Sequence, residues 1–209
     1  RRPPRSTLFP YTTLVRSYLI YRDRQQALLK IKSQEQDFLE VIAPEYIKDE
    51  MENPNSPFSK GDIQVGDINV VGYLYIGWNG NSPLFNDKRV RRAMTLAMNR
   101  EDLLKNIDHG LGIMTTSNFY PLSDYYNKNI KPYPFDLQEA ERLLTECGWA
   151  DTDKDGVRDK EIGGQKTSFE FSLFVWNTSP TWQTVAKVYK EDLYKIGVKM
   201  NVQIGRAHV

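Results

Sequence analysis

Apolar residues recur along this chain at two spacings, and each spacing predicts one kind of secondary structure. Ile68–Trp78 alternates and is rich in β-branched and aromatic residues, which predicts a strand. After Asp87, apolar residues recur every three to four positions, which predicts a helix that Asp87 caps and that reaches about Met98. The remaining predicted helices are Arg22–Lys32, a polar helix that Pro44 opens and that reaches about Met51, Arg100–Ile107, Asp136–Gly148 and Pro180–Lys195. The remaining predicted strands are Asp37–Ile42, Ser168–Trp176 and Val198–Val202.

The last elements of this series indicate the fold class. A helix, Gly197 and then an alternating strand form the end of an α/β unit. The segment Asp151–Gly164, which precedes the third predicted strand, is a predicted loop. The sequence therefore predicts an α/β fold.

The composition is that of a globular protein and excludes several classes of function. The 209 residues form about one or two domains, and 40% apolar with 12% aromatic residues is too much for a disordered chain. The apolar runs are far shorter than the ~20 residues of a membrane-spanning helix. Cys147 is the single cysteine, beside two histidines, His109 and His208, which excludes a disulfide framework and a cysteine-based zinc site. Since no nucleophile, base and orienting group can be assembled, we expect a protein that is not an enzyme.

Both ends of the chain differ from the rest. Thr7–Ser17 (TLFPYTTLVRS) resembles the translation of a sequencing-adaptor oligonucleotide, from which only Val15 differs. Ile204–Val209 (IGRAHV) matches the translated start of the partner adaptor. We therefore expect residues 1–17 and 204–209 to be adaptor-derived tails, and Tyr18–Gln203 to be an internal fragment of a longer protein.

Setting these tails aside reverses the sign of the charge. The whole chain has 28 Lys and Arg against 27 Asp and Glu, a net charge of +1. Five of the arginines lie in the tails, so Tyr18–Gln203 has 23 basic against 27 acidic residues, a net charge of −4. The basic cluster Lys88–Arg92 points in several directions, because adjacent helical positions diverge by about 100°. We expect no nucleic-acid partner.

Four motifs follow one another in an order typical of one family. Tyr73–Leu103 holds a strand ending near an Asn, a Pro and a Phe, an Asp-x-Arg-Val-Arg-x-Ala helix and a closing Asn-Arg-Glu. A Leu-Leu helix, an acidic turn and a helix ending in Ile-Gly-Val follow in Phe135–Gly148, Asp151–Asp159 and Tyr189–Val202. This series resembles the family 5 extracytoplasmic solute-binding proteins, the peptide- and nickel-binding components of ABC importers. The matching positions in the first motif are Asn79, Pro83, Phe85, Asp87, Arg89, Val90, Arg91, Ala93, Asn99, Arg100 and Glu101.

The resemblance implies both a fold and a function. The expected fold is α/β and part of a two-lobed periplasmic-binding-protein (type II) fold, mostly its second lobe. The implied function is that of a periplasmic or cell-surface component that captures di- or oligopeptides and delivers them to an ABC importer permease, through which it is peripheral to the membrane. Two lobes close around a solute in such proteins without covalent chemistry. A nickel chelate or an oligosaccharide is the alternative ligand within the same family.

The resemblance also places ligand-binding residues where the strand Ser168–Trp176 gives way to the next helix. Ligands of open α/β sheets bind at the carboxyl ends of strands, near helix N-termini. An ordinary helix cap beside a core tryptophan is the alternative at this position. Trp78 and Asn79, which end the first long strand, are further candidates, with a simple turn as the alternative. The candidates at the strand-to-helix junction are Trp176, Asn177, Thr178, Ser179 and Trp182.

Four aspartates have the spacing of a calcium loop, DxDxDGxxD. The twelfth position, where calcium loops have a bidentate Glu, is Ile162, and Glu161 is one residue off. A solvated acidic turn is the alternative to a calcium-loaded interaction module, and no other cofactor is expected. The candidate calcium ligands are Asp151, Asp153, Asp155 and Asp159.

Overall fold

A computed structural model of the protein describes residues 24–40, 49–66, 72–108, 110–177 and 180–205. The chain divides into two units, Arg1–Asp67 and Ile68–Val209. In the first unit, helix α1 spans Arg24–Lys32, and Lys32 Nζ donates to Glu50 Oε1 at 2.6 Å. This hydrogen bond lowers the pKa of Glu50 and ties α1 to the segment 49–66. No helix in the described ranges has the length and apolar character to cross a bilayer.

The second unit contains four further helices, and polar caps fix where three of them begin. Asp87 Oδ1 accepts the Arg89 backbone N–H at 2.8 Å, and Asp136 Oδ1 accepts that of Glu139 at 2.9 Å. Asn99 caps its helix in the same way. Five of the six predicted helices are thus confirmed where they are described, with ends that differ by a few residues. Of the sixth, predicted from Pro44 to about Met51, residues 44–48 lie outside the described residues, and 49–52 are helical. The helices of this unit are α2 (Lys88–Leu96), α3 (Arg100–Asn106), α4 (Leu137–Glu146) and α5 (Pro180–Lys195).

A short hairpin lies where the sequence predicted only a loop. Strands β1 (Asp159–Ile162) and β2 (Gln165–Ser168) pair antiparallel across a two-residue turn. The turn residues Gly163 and Gly164 have φ values of +60° and +79°, which such tight hairpin turns require and which only glycine adopts easily. The loop prediction for Asp151–Gly164 is therefore wrong from Asp159 onward.

Two parallel strands, connected through α5, form the second sheet. Strand β3 spans Glu170–Trp176 and β4 spans Lys199–Gly205, with Glu170 opposite Lys199 and Trp176 opposite Gly205. Both predicted strands are confirmed, and β4 continues three residues beyond the predicted end at Val202. Since side chains alternate along a strand, the sheet has two faces. The inner face holds Phe171, Leu173, Val175, Met200, Val202 and Ile204, and the outer face holds Glu170, Ser172, Phe174, Trp176, Lys199, Asn201 and Gln203.

The core of the second unit packs the inner face against α2, α4 and α5. Phe169, which precedes β3 and is fully buried, stacks on buried Trp149 with ring centroids 4.5 Å apart. Tyr189 of α5 is also buried, and its hydroxyl donates to the Met94 carbonyl of α2 at 2.8 Å. Burial raises the pKa of Tyr189, so this hydroxyl remains a neutral donor.

Arg158 joins the ends of two helices to the hairpin. Its Nε donates to the Ile196 carbonyl after α5 at 2.8 Å, and its Nη1 donates to the Trp149 carbonyl after α4 at 2.9 Å. Nη1 also donates to Thr145 Oγ1 at 3.0 Å. Because its guanidinium bonds to the segments that directly follow two helices, Arg158 holds both helix ends against the start of the hairpin.

Two predicted strands are not found among the described residues. The strand predicted over Ile68–Trp78 has no ladder partner at 72–78, and 67–71 lie outside the described residues. Ile76 and Trp78 nevertheless pack against the core, as the alternation predicted. The strand predicted over Asp37–Ile42 is likewise absent at 37–40, and 41–42 are not described. A strand requires a second segment to pair with its N–H and C=O groups, and the described residues offer none here.

Candidate ligand-binding site

At the carboxyl end of β3, an aromatic side chain and the amide side chain next to it in sequence are exposed to solvent. Trp176, the last residue of the strand, is 65% exposed. The next backbone N–H, of Asn177, donates to the Gly205 carbonyl at 3.2 Å, and Gln183 Nε2 donates to the Asn177 carbonyl at 3.3 Å. These bonds fix the backbone between β4 and the first turn of α5. The side-chain amide of Asn177 has no hydrogen-bond partner among the described residues, so it can bind a ligand.

Phe174 extends this exposed surface by one position along the outer face. It lies two residues before Trp176, and 76% of it is exposed. Gln203, opposite Phe174 in β4, donates to Ser172 Oγ at 3.0 Å. The sequence analysis did not single out Phe174, although counting back two positions from Trp176 along the strand would have found it.

The other candidates of this junction are less exposed or not described. Trp182 lies in the first turn of α5 and is half-buried. Thr178 and Ser179 lie outside the described residues. The structure thus brings Trp176 and Asn177 together at the strand end and places Trp182 within the next five residues.

Trp78 and Asn79 lie elsewhere. The Trp78 ring packs on Phe85 with centroids 4.8 Å apart and is in edge-to-face contact with Phe171, with centroids 5.8 Å apart. Asn79 Oδ1 accepts the Asn81 backbone N–H at 3.1 Å, which makes a turn. Phe171 is the second residue of β3, and at ~3.3 Å per residue the end of that strand is ~16 Å further along. Trp78 therefore contacts the opposite end of β3 from Trp176.

The acidic loop brings three of its four aspartates together. Oxygen atoms of Asp151, Asp153 and Asp159 lie within 4.8 Å of one another. Asp159 is buried, and its carboxylate accepts hydrogen bonds from the hydroxyl of Thr152 at 2.7 Å and from the backbone N–H of Thr152 at 3.0 Å. Asp155 does not join the cluster, and its Oδ1 accepts the Val157 N–H at 2.8 Å.

A lysine from the hairpin supplies a positive charge to this cluster. Lys166 Nζ lies 2.5 Å from Asp153 Oδ2 and 3.3 Å from Asp159 Oδ2. The bond to Lys166 lowers the pKa of Asp153, while the Thr152 hydroxyl and then Lys166 lower the pKa of Asp159. In turn, Asp153 raises the pKa of Lys166. The sequence analysis missed Lys166, because only the hairpin places it beside residues thirteen and seven positions earlier. A calcium role for the aspartates remains a prediction.

The fold and the sequence together define a class of protein. The β–α–β unit has exposed aromatic and amide groups at a strand end, which is where open α/β sheets bind ligands. The sequence matches the bacterial extracellular solute-binding proteins, family 5, middle region, over residues 17–208. The chain belongs to this family of substrate-binding transport proteins, and its prediction as an α/β part of a periplasmic-binding-protein fold is confirmed.

Individual relatives agree with this assignment. The chain is 32% identical to the oligopeptide-binding protein AppA of Bacillus subtilis over 93% of its own length and 34% of the relative's. The structure of AppA with a nonapeptide has a TM-score of 0.71 at 31% identity, covering 88% of this chain and 34% of that one. The nickel-binding periplasmic protein of Escherichia coli is 28% identical over 56% of this chain and 22% of its own length. The chain thus spans about a third of the length of AppA and a smaller share of the nickel-binding relative.

Proposed function

We propose that this chain is part of a solute-binding protein that captures peptides outside the cytoplasm and passes them to an ABC importer permease. The observation that carries the proposal is the exposed pair Trp176 and Asn177 at the carboxyl end of β3, in a chain of this family. An indole ring and an amide bind a ligand through packing and hydrogen bonds, and the proposed role is binding without catalysis.

Each group of the pair has a separate task in this proposal. The flat face of Trp176 covers apolar side chains of the peptide, with Phe174 beside it on the outer face. The side-chain amide of Asn177 donates to and accepts from the peptide backbone, which is the same for every sequence. A surface that reads the backbone and packs loosely against side chains accepts many peptides. A second lobe closing over the ligand would complete the burial.

Peptide is favoured over the alternative ligands by the extent of the similarity. AppA matches 93% of this chain, whereas the nickel-binding relative matches 56%. A nickel chelate needs groups that bind its metal or its carboxylates, and the strand end offers an indole and an amide instead. An aromatic face also suits an oligosaccharide, so the test includes one.

The test follows the indole N–H resonances of the four tryptophans in the full 209-residue chain during titration with an alanine- and serine-based nonapeptide. We expect a saturable shift of Trp176 and none of buried Trp149. Binding by one lobe reaches about half the free energy of a two-lobed site, so a micromolar site corresponds here to roughly millimolar affinity.

A matched pair of variants assigns the effect. Asn177→Ala removes the free amide and should weaken binding about fivefold, the value of one net hydrogen bond. Asn81→Ala, an exposed asparagine of the 79–82 turn, should leave the affinity unchanged. A Trp176 resonance that stays in place with the peptide and moves with nickel–histidine or mannohexaose would overturn the peptide proposal.

A further inference from the structure

An open cavity of about 220 Å³ lies between the start of α3 and the loop that precedes α4. Its apolar lining includes two methionines, two prolines and two aromatic rings, and the methionine side chains can adapt to the shape of a ligand. The volume is that of a site for a group about the size of one aromatic ring, since a cavity of 150 Å³ holds benzene. Four of these residues are Met98, Met114, Tyr133 and Phe135.

Arg100 brings a half-buried positive charge to this cavity. Its Nη2 donates to the Tyr133 carbonyl at 2.6 Å. Among the described residues, this carbonyl is the only acceptor within hydrogen-bond distance of the guanidinium, and no carboxylate lies within ion-pair distance. Burial lowers the pKa of Arg100, because the loss of water disfavours the charged guanidinium.

We propose that this cavity binds a small organic monocarboxylate, whose apolar body fits against Met98, Met114 and Phe135 and whose carboxylate bonds to Arg100. A planar guanidinium has paired donors that match the two oxygens of a carboxylate. The lining of this cavity shares no residue with the peptide surface proposed at the end of β3, and the inference goes beyond the proposed function.

The neighbouring charges favour one negative charge over two. Glu101 also lines the cavity, and its carboxylate repels an anion. Arg92 lies over the Tyr133 ring, 5.0 Å from its centroid, and adds a second positive charge nearby. Glu139 lies close enough to Arg92 to offset this charge, which leaves Arg100 as the cation of the lining. Arg100 pairs with one carboxylate, and Glu101 disfavours a second.

The test uses the full chain labelled at its methionine methyl groups, titrated with 3-phenylpropanoate and, as an uncharged match, 3-phenylpropanamide. We expect the methyls of Met98 and Met114 to shift, while Met51, Met94 and Met200 and the Trp176 indole stay in place. The carboxylate should bind at least tenfold more tightly than the amide. Equal affinities, no shift at Met98 and Met114, or a shift of the Trp176 indole would overturn the proposal.

Three variants sharpen the assignment. Arg100→Gln should reduce carboxylate affinity to that of the amide, Glu101→Gln should increase it two- to threefold, and Arg92→Gln, outside the lining, should change it less than threefold. If Arg100→Gln fails to fold, the carboxylate–amide comparison in the unaltered chain and the Glu101→Gln variant still decide. An affinity that Arg100→Gln leaves unchanged contradicts the proposal. Because peptide binding is read at Trp176, the two proposals can fail independently.

Discussion

The inner and outer sides of the β3–β4 sheet have aromatic residues in similar number and opposite environments. On the inner side, Phe169 is fully buried and stacks on Trp149, and Phe171 is in edge-to-face contact with Trp78 and Phe85. On the outer side, Phe174 and Trp176 are 76% and 65% exposed, and no aromatic ring among the described residues packs on either. Both pairs of aromatic residues belong to β3 or directly precede it, so the two pairs differ in their surroundings and not in their place along the chain.

The difference shows which aromatic residues the fold itself uses. Burying a ring stabilises the folded chain by about 1.5–3 kcal/mol, so the inner residues account for their own presence. The outer residues contribute no comparable burial here. Adjacent exposed aromatic side chains are typical of surfaces that bind a ligand or another surface, and this supports the ligand site proposed at Trp176.

The strongest way to test this comparison replaces one phenylalanine on each side. Phe169→Ala leaves a cavity in the core and should lower the free energy of unfolding by about 3–5 kcal/mol. Phe174→Ala should change it by less than about 0.5 kcal/mol. Urea unfolding monitored by circular dichroism measures both. Equal losses from the two variants would show that the outer face is covered in solution.

A second test breaks the inner side without removing an apolar group. Arg158→Met leaves the carbonyls of Ile196 and Trp149 without their donor, and we expect a loss of about 2 kcal/mol. Arg142→Met is the matched control, because that arginine lies exposed on α4 with ion pairs to Glu139 and Glu146, which are worth little in water. A control as damaging as Arg158→Met would contradict the role given to Arg158.

A third test concerns pH at the edge of the core, where Asp87 caps α2. The Arg89 side chain and backbone N–H hold the pKa of Asp87 well below its usual range. Asp87 therefore stabilises the fold fully above about pH 4, and this contribution decreases as the pH falls toward the lowered pKa. Asp87→Ala should cost about 1 kcal/mol at pH 7 and less at pH 3. Urea midpoints at both values measure it, and a cost that is the same at both would be inconsistent with the lowered pKa.

The smallest expected effect is at the acidic loop, which lies outside both faces of the β3–β4 sheet. Because Lys166 already supplies a positive charge beside Asp153 and Asp159, millimolar calcium should leave the melting temperature of the unaltered chain unchanged. Lys166→Gln should make it rise with calcium, and less with magnesium, which gives up its bound water reluctantly. A calcium-dependent rise in the unaltered chain would instead support the calcium-loaded module.

Local patterns in the sequence were sufficient for the helices. Asp87, Asn99 and Asp136 each stand directly before an apolar stripe, and each caps a helix in the structure. Strands depend on a distant partner, which explains why alternation alone predicted a strand over 72–78 that has no ladder among the described residues. The hairpin was missed although Gly163 and Gly164 carry its turn signal.

The candidate site was predictable to the extent that it follows from a single strand. The end of β3 fixed the position of Trp176 and Asn177, and both are exposed, while their role in ligand binding stays a prediction. Whether Trp78 lies near Trp176 depends on how separate segments pack, and the structure places its ring against Phe171 instead. For the same reason the cavity at Arg100 and the Lys166 contacts could not be found from spacing, since each joins residues that are far apart in sequence or held by a hairpin.

The bond between Tyr189 and Met94 also has a consequence for the order in which the chain folds during synthesis. These residues are separated by 95 positions. At about 5–20 residues per second, a ribosome releases α5 roughly 5–20 s after α2. The apolar stripe of α2 can pack on α4 earlier, but the side that Tyr189 contacts stays open for that whole interval. A nascent chain of this design is thus exposed to misassociation for seconds, and we expect it to interact with chaperones until α5 is complete.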